Sequence, residues 1–184
     1  MLDGHLRADR CRFGQTGFQV IIEPLDKRRH DRSTFCCGVP ALDAYLQRQA
    51  AQDMEKHAAV AYVGLIEPPA IAGYYTLAQF SIDLVELPEA LAKKLPRYPV
   101  VPATLLGRLA VSQAVRGQRL GEILLFDALH RSLRQSAHLA STGVIVDAKD
   151  ESASGFYQRY GFIEILNSGR RHFLPMKTIE KIFC

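Results

Sequence analysis

The stretch from Leu105 to Leu133 constrains the fold of this chain more than any other segment does. An apolar run, Leu105 to Val111, gives way to a basic turn containing Gly117 and Gly121, and the turn runs directly into a long amphipathic segment. This order predicts a strand, a loop and then a helix that begins at Leu120. Because the first amides of a helix have no internal partner and the helix dipole is positive there, the segment predicts an anion site.

Length and composition are those of one ordinary globular domain. The chain has 184 residues, 48% of them hydrophobic and 23% charged, which is enough for a proper core. No run approaches the roughly 20 apolar residues of a membrane helix. The first residues alternate in charge and lack the apolar region of a secretion signal. We therefore expect a disordered leader over residues 1–16, a folded domain over residues 17–184 and a cytoplasmic location.

Cysteine and histidine usage gives no sign of a disulfide framework or a metal site. The four cysteines are scattered, and the adjacent pair Cys36 and Cys37 lacks metal-ligand spacing. The six histidines occur without an HExxH motif, so no metal is predicted. A net charge of +4 mildly favours polyanionic partners.

The chain alternates between short apolar runs and amphipathic segments. Strands are predicted at residues 18–22, 57–66, 71–77, 105–111, 143–146, 162–166 and 172–176, with Pro24 ending the first of them. Helices are predicted from Pro40 onwards and over residues 89–95, 120–133 and 150–160, with Gly161 closing the last. This order predicts a mixed α/β domain in which helices flank a sheet.

A second block, residues 148–162, combines a short aromatic helix with a glycine that returns the chain to a strand. A tyrosine hydroxyl can act as a general acid when the leaving group is basic enough, and Tyr157 is the candidate. Core packing is the simpler interpretation of Phe156, Tyr160 and Phe162, and it also stays open for Tyr157. For the basic turn, the alternative is a solvated loop in which Gly121 allows close helix packing.

In order and separation, the two blocks resemble the GNAT superfamily of N-acetyltransferases, which use acetyl-CoA. The family's pyrophosphate loop has glutamine or arginine, then glycine three residues later and glycine or alanine two residues further on. Arg116 and Gly121 fit this pattern, whereas Arg119 stands where the family usually has glycine. An arginine at position 119 is strained if the loop needs a positive φ there, unless Gly117 takes up the positive φ instead. The later family segment is matched by Ala153, Phe156, Tyr157, Gly161 and Phe162.

Longer stretches resemble one branch of that superfamily, the toxin-type acetyltransferases of bacterial toxin–antitoxin pairs. These stretches are residues 35–50, 71–78 and 106–111, and the similarity extends over residues 20–177. The resemblance implies a single-domain GNAT fold with a central mixed, mostly antiparallel sheet. It also implies a toxin that acetylates the α-amine of aminoacyl-tRNA and blocks translation. The implied partners are aminoacyl-tRNA and a small antitoxin of the ribbon-helix-helix type, and the branch also allows a homodimer.

The resemblance further implies roles for individual residues. Tyr157 is the implied acid that protonates the departing thiolate. The backbone of the strand near Leu109 is the implied surface for the acetyl and pantetheine groups, and the basic turn is the implied pyrophosphate site. The complete set of implied acetyl-CoA-binding residues is Leu109, Ala110, Val111, Arg116, Gly117, Gln118, Arg119, Leu120, Gly121 and Phe156.

The sequence bears on the acceptor only through pKa and charge. An α-amine has an ordinary pKa of about 7.7–8.0, against about 10.4 for lysine, so an aminoacyl ester needs no strong protein base. No convincing carboxylate base stands out, because Glu122 and Asp127 are expected on the exposed face of their helix. Phosphate contacts with tRNA require basic side chains. The candidates are Arg48, Lys56, Lys93, Lys94, Arg97, Arg170 and Arg171.

Two other functions stay open on the sequence alone. One is a housekeeping GNAT enzyme that acetylates a small-molecule amine or a protein N-terminus. The other is a non-catalytic binding module that keeps the fold.

Overall fold

The computed structural model describes residues 19–165 and 169–183. The predicted leader over residues 1–16, together with Cys11 and Cys184, lies outside the described residues. In the part of the chain that is described, no helix is long and apolar enough to cross a membrane.

Seven strands of the described chain form one sheet. They are β1 (Ile21–Pro24), β2 (Val60–Leu65), β3 (Ile71–Asp83), β4 (Val100–Val111), β5 (Gly143–Asp147), β6 (Ile163–Glu164) and β7 (Arg171–Pro175). Their order in the sheet is β1-β2-β3-β4-β5-β7-β6. β1 pairs antiparallel with β2, and β7 pairs antiparallel with both β5 and β6, whereas β4 and β5 are parallel. The predicted mixed α/β class is therefore confirmed.

Helices lie at the four predicted places, and one further helix follows the last strand. The first runs from α1 (Pro40–Ala44) through a π-helical turn (Tyr45–Gln49) into α2 (Ala50–Glu55). Pro40 occupies the first helical turn, where its missing N–H is not needed. The others are α3 (Glu89–Ala92), α4 (Leu120–Ser136), α5 (Glu151–Arg159) and α6 (Met176–Phe183), and two 3-10 turns occupy Leu84–Glu86 and Gln113–Val115.

The chain consists of two compact units. The first unit contains the described residues up to Tyr74 together with Ala110–Asp127. In its core, the apolar face of the first helix packs against β2 and β3. The buried residues of this core are Leu25, Phe35, Cys37, Tyr45, Leu46, Ala50, Ala61, Val63, Leu65, Ile71, Tyr74 and Ala110.

The second unit contains Tyr75–Leu109 and the described residues from Ala128 onwards. Its own core joins the far part of β3, the beginning of β4 and the strands β5 and β7. The buried residues of this core are Ile82, Leu87, Val101, Ala103, Ile145, Ile165 and Phe173.

The structure corrects several predicted boundaries. Pro24 does not end the first strand before itself but is the last residue of β1, opposite Tyr62. β1 lies at the edge of the sheet, where a residue without an N–H is tolerated. The strand predicted over residues 172–176 ends at Pro175, and Met176 begins α6, a helix that the strand prediction missed. Met176 and Ile179 are buried three residues apart, which is helical spacing rather than strand alternation.

Candidate active site

The predicted anion loop lies in the first unit, between the end of β4 and the start of α4. The chain leaves β4, forms the 3-10 turn Gln113–Val115 and enters α4 at Leu120, whose side chain is buried. The backbone amides of Gly117, Gln118, Leu120 and Gly121 donate to no atom of the described residues. Unpaired amides at the positive end of a 17-residue helix are an arrangement that binds phosphate groups.

Residues 36–38 of the same unit hold the start of this loop. The Cys36 carbonyl accepts a hydrogen bond from the Gln113 amide at 2.9 Å, and the Cys37 carbonyl accepts one from the guanidinium of Arg116. Gly38 has a φ of +83°, and a Cβ at this position would clash with the side-chain nitrogen of Gln113. At least one N–H of Arg116 therefore fastens the loop to the protein.

Gly121 has no packing reason to be a glycine. A Cβ added there would meet only Val111 Cγ2, at 3.7 Å, which is an ordinary van der Waals distance. The alternative in which Gly121 serves close helix packing therefore has no support in the structure. Gly117 differs, because its φ of +81° is itself a conformation that favours glycine, although nothing lies within 4 Å of its added Cβ.

Arg119 adopts the backbone conformation that the family's glycine would provide. Its φ is +59°, in the left-handed region that costs an L-residue about 1–2 kcal/mol. Gly117 therefore does not shift this strain away from the arginine. The Arg119 guanidinium forms a two-point ion pair with Glu122, at 2.7 and 3.0 Å. With the side chain 71% exposed, this pair compensates for little of the strain.

Replacing Arg119 by glycine separates the role of the backbone from that of the side chain. We expect Arg119→Gly to preserve or increase acetyl-CoA affinity, because the loop keeps its conformation and loses its strain. Calorimetric titration with acetyl-CoA measures this. Glu122→Gln is the matched control, since it breaks the ion pair and leaves the backbone unchanged. A large loss of affinity in Arg119→Gly, with a gain in Glu122→Gln, would show instead that Arg119 binds phosphate directly.

The residues predicted to hold the acetyl and pantetheine groups are the last three of β4. Leu109 and Val111 are half-buried and Ala110 is buried. The parallel ladder between β4 and β5 covers only Thr104 to Leu106, so these three residues lie beyond it. Leu109 belongs to the second unit, and Ala110 and Val111 belong to the first.

Tyr157 lies in the second unit, on the last part of α5. The Asp150 side chain caps this helix by accepting the Ala153 amide at 2.8 Å, which lowers the pKa of Asp150. The Tyr157 ring is 7% exposed and packs edge-on against Phe156 and at a tilt against Phe162, with centroid distances of 5.3 and 5.4 Å. Phe162 is buried, as the core-packing interpretation requires. Phe156 is only half-buried, so core packing accounts for part of its side chain.

Burial makes the Tyr157 hydroxyl a weaker acid. Removal from water disfavours the charged phenolate and raises the pKa of Tyr157 to about 12. The hydroxyl is therefore protonated throughout the neutral range, as a proton donor must be before it reacts.

The basic residues predicted to contact tRNA differ in whether their side chains are already engaged within the protein. Arg48, Lys94 and Arg97 are exposed and form no ion pair with a described residue. Lys93 pairs with Glu89 at 2.6 Å, and Arg170 donates to the Lys149 carbonyl at 2.6 Å. Arg171 is the most engaged, because it pairs with Asp147 at 2.7 Å and lies over the Phe80 ring. Hydrogen bonding to Asp147 also raises the pKa of Arg171.

The two acidic residues of α4 do not lie where the sequence predicted. Asp127 is fully buried rather than exposed, because it shares a helix face with the buried Leu120 and Leu124. Glu122 is half-buried and engaged with Arg119. Among the described residues, no group of three or more histidine, cysteine or acidic side chains is arranged to hold a metal ion.

Sequence reasoning missed one polar pair beside Tyr157. Ser154 and His172 are both buried, and Ser154 Oγ lies 2.9 Å from His172 Nε2. The two residues are 18 positions apart in the chain, so no local pattern links them.

Comparison with known proteins gives similarity along most of the chain. A family model described as an acetyltransferase (GNAT) domain matches residues 102–182. The probable toxin TacT of Sinorhizobium fredii is 29% identical over 170 residues, which are 88% of this chain and 94% of TacT. A tRNA-acetylating toxin of Mycobacterium tuberculosis is 30% identical over 132 residues, covering 72% of this chain and 78% of that toxin.

Solved structures extend this similarity to the fold. The AtaT toxin complexed with acetyl-methionyl-tRNAfMet has a TM-score of 0.83 and 30% identity, covering 90% of this chain and 99% of AtaT. A tyrosine-to-phenylalanine mutant of AtaT, bound to the C-terminus of the antitoxin AtaR and to acetyl-CoA, has a TM-score of 0.76 and 26% identity. That match covers 89% of this chain and 97% of the mutant toxin.

Proposed function

This chain belongs to the toxin branch of the GNAT N-acetyltransferases, which take their acetyl group from acetyl-CoA, and we propose that its acceptor is the α-amine of an aminoacyl-tRNA. One observation carries the choice of acceptor. The chain spans 99% of an AtaT toxin that was solved with acetyl-methionyl-tRNAfMet, at a TM-score of 0.83. Acetylation blocks the amine that peptide-bond formation requires, so the product stops translation.

The loop before α4 is the proposed site for the pyrophosphate of acetyl-CoA. The unpaired amides of Gly117, Gln118, Leu120 and Gly121 supply the hydrogen-bond donors, and the helix dipole supplies the field. The loop has donors but no negative side chain other than Glu122, which Arg119 neutralises. Arg116 keeps the loop in this conformation through the Cys37 carbonyl.

The backbone of β4 and the aromatic residues of α5 are the proposed supports for the rest of acetyl-CoA. Leu109, Ala110 and Val111 offer strand-like hydrogen bonds to the acetyl and pantetheine groups, and a backbone amide there polarises the thioester carbonyl. Phe156, half-buried on α5, supplies an apolar contact.

Tyr157 is the proposed general acid. The acceptor nitrogen attacks the thioester carbonyl carbon, the new C–N bond forms and the C–S bond breaks. Tyr157 donates its hydroxyl proton to the departing sulfur, the new amide nitrogen releases its extra proton to solvent, and the Tyr157 phenolate takes a proton back from solvent. The high pKa of Tyr157 keeps the proton in place until that step.

The acceptor amine needs little help to lose its own proton. An α-amine already has a pKa of about 7.7–8.0, and the adjacent ester lowers it further, so much of it is neutral near physiological pH. A lysine acceptor, at about 10.4, would need a base. This favours a charged tRNA over a protein lysine as the acceptor.

Lys94 and Arg97 are the proposed phosphate contacts in the second unit, because both are exposed and neither has an acidic partner among the described residues. We expect the double variant Lys94→Ala and Arg97→Ala to lower kcat/KM for charged tRNA by about tenfold at low salt. The slope of log kcat/KM against log salt concentration should become less negative by about 1.5, since each phosphate contact contributes about 0.7–0.9 to that slope.

Lys177→Ala with Lys181→Ala is the matched control for that experiment. It removes the same charge from the exposed surface of α6. A salt slope that changes equally in both double variants would mean a general field effect and would remove Lys94 and Arg97 from the proposed contacts.

An antitoxin and a second copy of the chain are the proposed protein partners. The mutant AtaT solved with the C-terminus of AtaR provides the support for the antitoxin, and a ribbon-helix-helix DNA-binding domain is the form we propose for it. A small DNA-binding protein encoded immediately upstream would support the antitoxin, and coexpression with it should give a stable complex and relieve growth arrest. Light scattering of the purified chain tests the homodimer.

The decisive experiment is incubation with labelled acetyl-CoA and total charged tRNA, followed by mass analysis of the released amino acids. We expect acetylated amino acids, and deacylated tRNA as a control should remain unlabelled. Label on small amines or protein N-termini alone would establish the housekeeping alternative. If calorimetry shows no binding of acetyl-CoA, both enzymatic functions fail and a non-catalytic binding module remains.

A further inference from the structure

Helix α5 is joined to β7 by a buried hydrogen bond. Ser154 Oγ lies 2.9 Å from His172 Nε2, and these residues are 7% and 0% exposed. The side-chain nitrogen of Gln158 approaches the same imidazole nitrogen at 3.5 Å, a much weaker contact. A buried polar pair of this kind favours one relative position of the elements that carry it, because a displacement that breaks it loses a buried hydrogen bond.

His172 is held firmly by the strand to which it belongs. On β7 it is opposite Val146 of β5 on one side and Glu164 of β6 on the other. His172 Nδ1 lies 3.0 Å from the Arg170 carbonyl, which can only accept, so the proton of the neutral ring is on Nδ1. Nε2 is then the acceptor, and the Ser154 hydroxyl donates to it. The imidazole thus has a fixed position, to which the hydrogen bond from Ser154 attaches α5.

Tyr157 follows Ser154 by three residues, about one helical turn. Its ring is bounded by Phe156 and Phe162, and no described residue forms a hydrogen bond with its hydroxyl. Ring contacts are favourable over a broad range of centroid distances, whereas the hydrogen bond between Ser154 and His172 weakens steeply with small changes in distance and angle. The position of the Tyr157 hydroxyl therefore depends on the position of α5 along β7.

We infer that Ser154 and His172 are positioning residues for acetyl transfer, which hold α5 so that the Tyr157 hydroxyl is in place to protonate the departing sulfur. This inference rests on the proposed function of Tyr157 as the acid. Neither residue touches a reacting atom, and both act through the helix. A displacement of about 1 Å at a catalytic group is enough to reduce a rate by about a hundredfold. The loss of the bond should therefore affect kcat.

The first test is Ser154→Ala, which removes the donor and keeps the helix. We expect kcat for charged tRNA to fall about tenfold, with KM for acetyl-CoA unchanged, because the bond positions the acid rather than the ligand. Ser152→Ala, on an exposed residue of the same helix, is the matched control and should retain the full rate. His172→Gln, which restores an acceptor close to the position of Nε2, should retain more activity than Ser154→Ala.

The second test is a double-mutant cycle in single-turnover kinetics. If Ser154 acts through Tyr157, Ser154→Ala lowers the rate about tenfold in the wild type and has no further effect in Tyr157→Phe. An equal loss in both backgrounds overturns the positioning role and leaves Tyr157 as the acid. If Tyr157→Phe alone keeps the full rate, the proposed acid is wrong and the positioning role falls with it. Thermal melting of all variants establishes that each is folded at the assay temperature.

Discussion

Tyr157→Phe should lower kcat by about 10²- to 10⁴-fold, the range that a positioned general acid contributes. The substitution removes one oxygen from a ring that is 7% exposed and packed between Phe156 and Phe162, so the packing is retained. Affinity for acetyl-CoA should stay within about twofold, because the hydroxyl contributes to the transition state and not to ground-state binding. Single-turnover rates and calorimetry on the same protein separate the two quantities.

Tyr160→Phe is the control for this change, since it removes a tyrosine hydroxyl one helical turn away, at the end of α5. It should retain the wild-type kcat. A Tyr157→Phe enzyme that keeps more than about half of the wild-type kcat would exclude proton donation by Tyr157. A fall in kcat accompanied by an equal fall in acetyl-CoA affinity would indicate a binding role instead.

The pH dependence of the wild type provides an independent check on the same residue. The rate should rise with pH as the acceptor amine loses its proton, and then level off. It should not decline in the weakly alkaline range, because burial raises the pKa of Tyr157 to about 12. For the same reason, the stability linked to Tyr157 falls only as pH rises above about 10, where the unfolded tyrosine ionises and the folded one does not. Tyr157→Phe should remove that alkaline loss.

Local spacing made the two functional blocks predictable from the sequence. The glycines of the basic turn and the aromatic residues of α5 lie within a few positions of each other, so propensity and periodicity act on them directly. The sequence alone could not predict whether the turn requires a positive φ at position 119. Arginine at position 119 would be strained if the loop needed a positive φ, and the φ of +59° meets that condition.

Features that depend on distant residues could not be predicted in this way. The burial of Asp127 results from the face that α4 presents to the core, and a single polar residue in an apolar stripe gives no signal of that. Ser154 and His172 meet only because β7 returns beside β5 and α5 packs on it. The helix α6 was missed for a local reason. It is eight residues long and directly follows a strand, so its helical period was too short to distinguish from strand alternation.

Gly121→Ala should raise the stability of the protein and leave its acetyl-CoA affinity unchanged. A Cβ at this position meets only Val111 Cγ2 at 3.7 Å and requires no unusual φ. The protein should therefore become more stable by about 0.4–1 kcal/mol, because alanine loses less conformational freedom on folding. The family's pyrophosphate loop has alanine as well as glycine at this position, so the added methyl group should not obstruct the pyrophosphate. We expect the affinity for acetyl-CoA to stay within about twofold, which is about 0.4 kcal/mol.

Gly155→Ala in α5 is the matched control, because nothing lies within 4 Å of an added Cβ there. It should give a similar gain in stability with no change in acetyl-CoA affinity. Denaturant unfolding and calorimetric titration of the two variants provide both quantities. If Gly121→Ala binds acetyl-CoA about tenfold or more weakly than the wild type does, the loop differs from the family's pyrophosphate loop at this position, and the proposed arrangement is wrong.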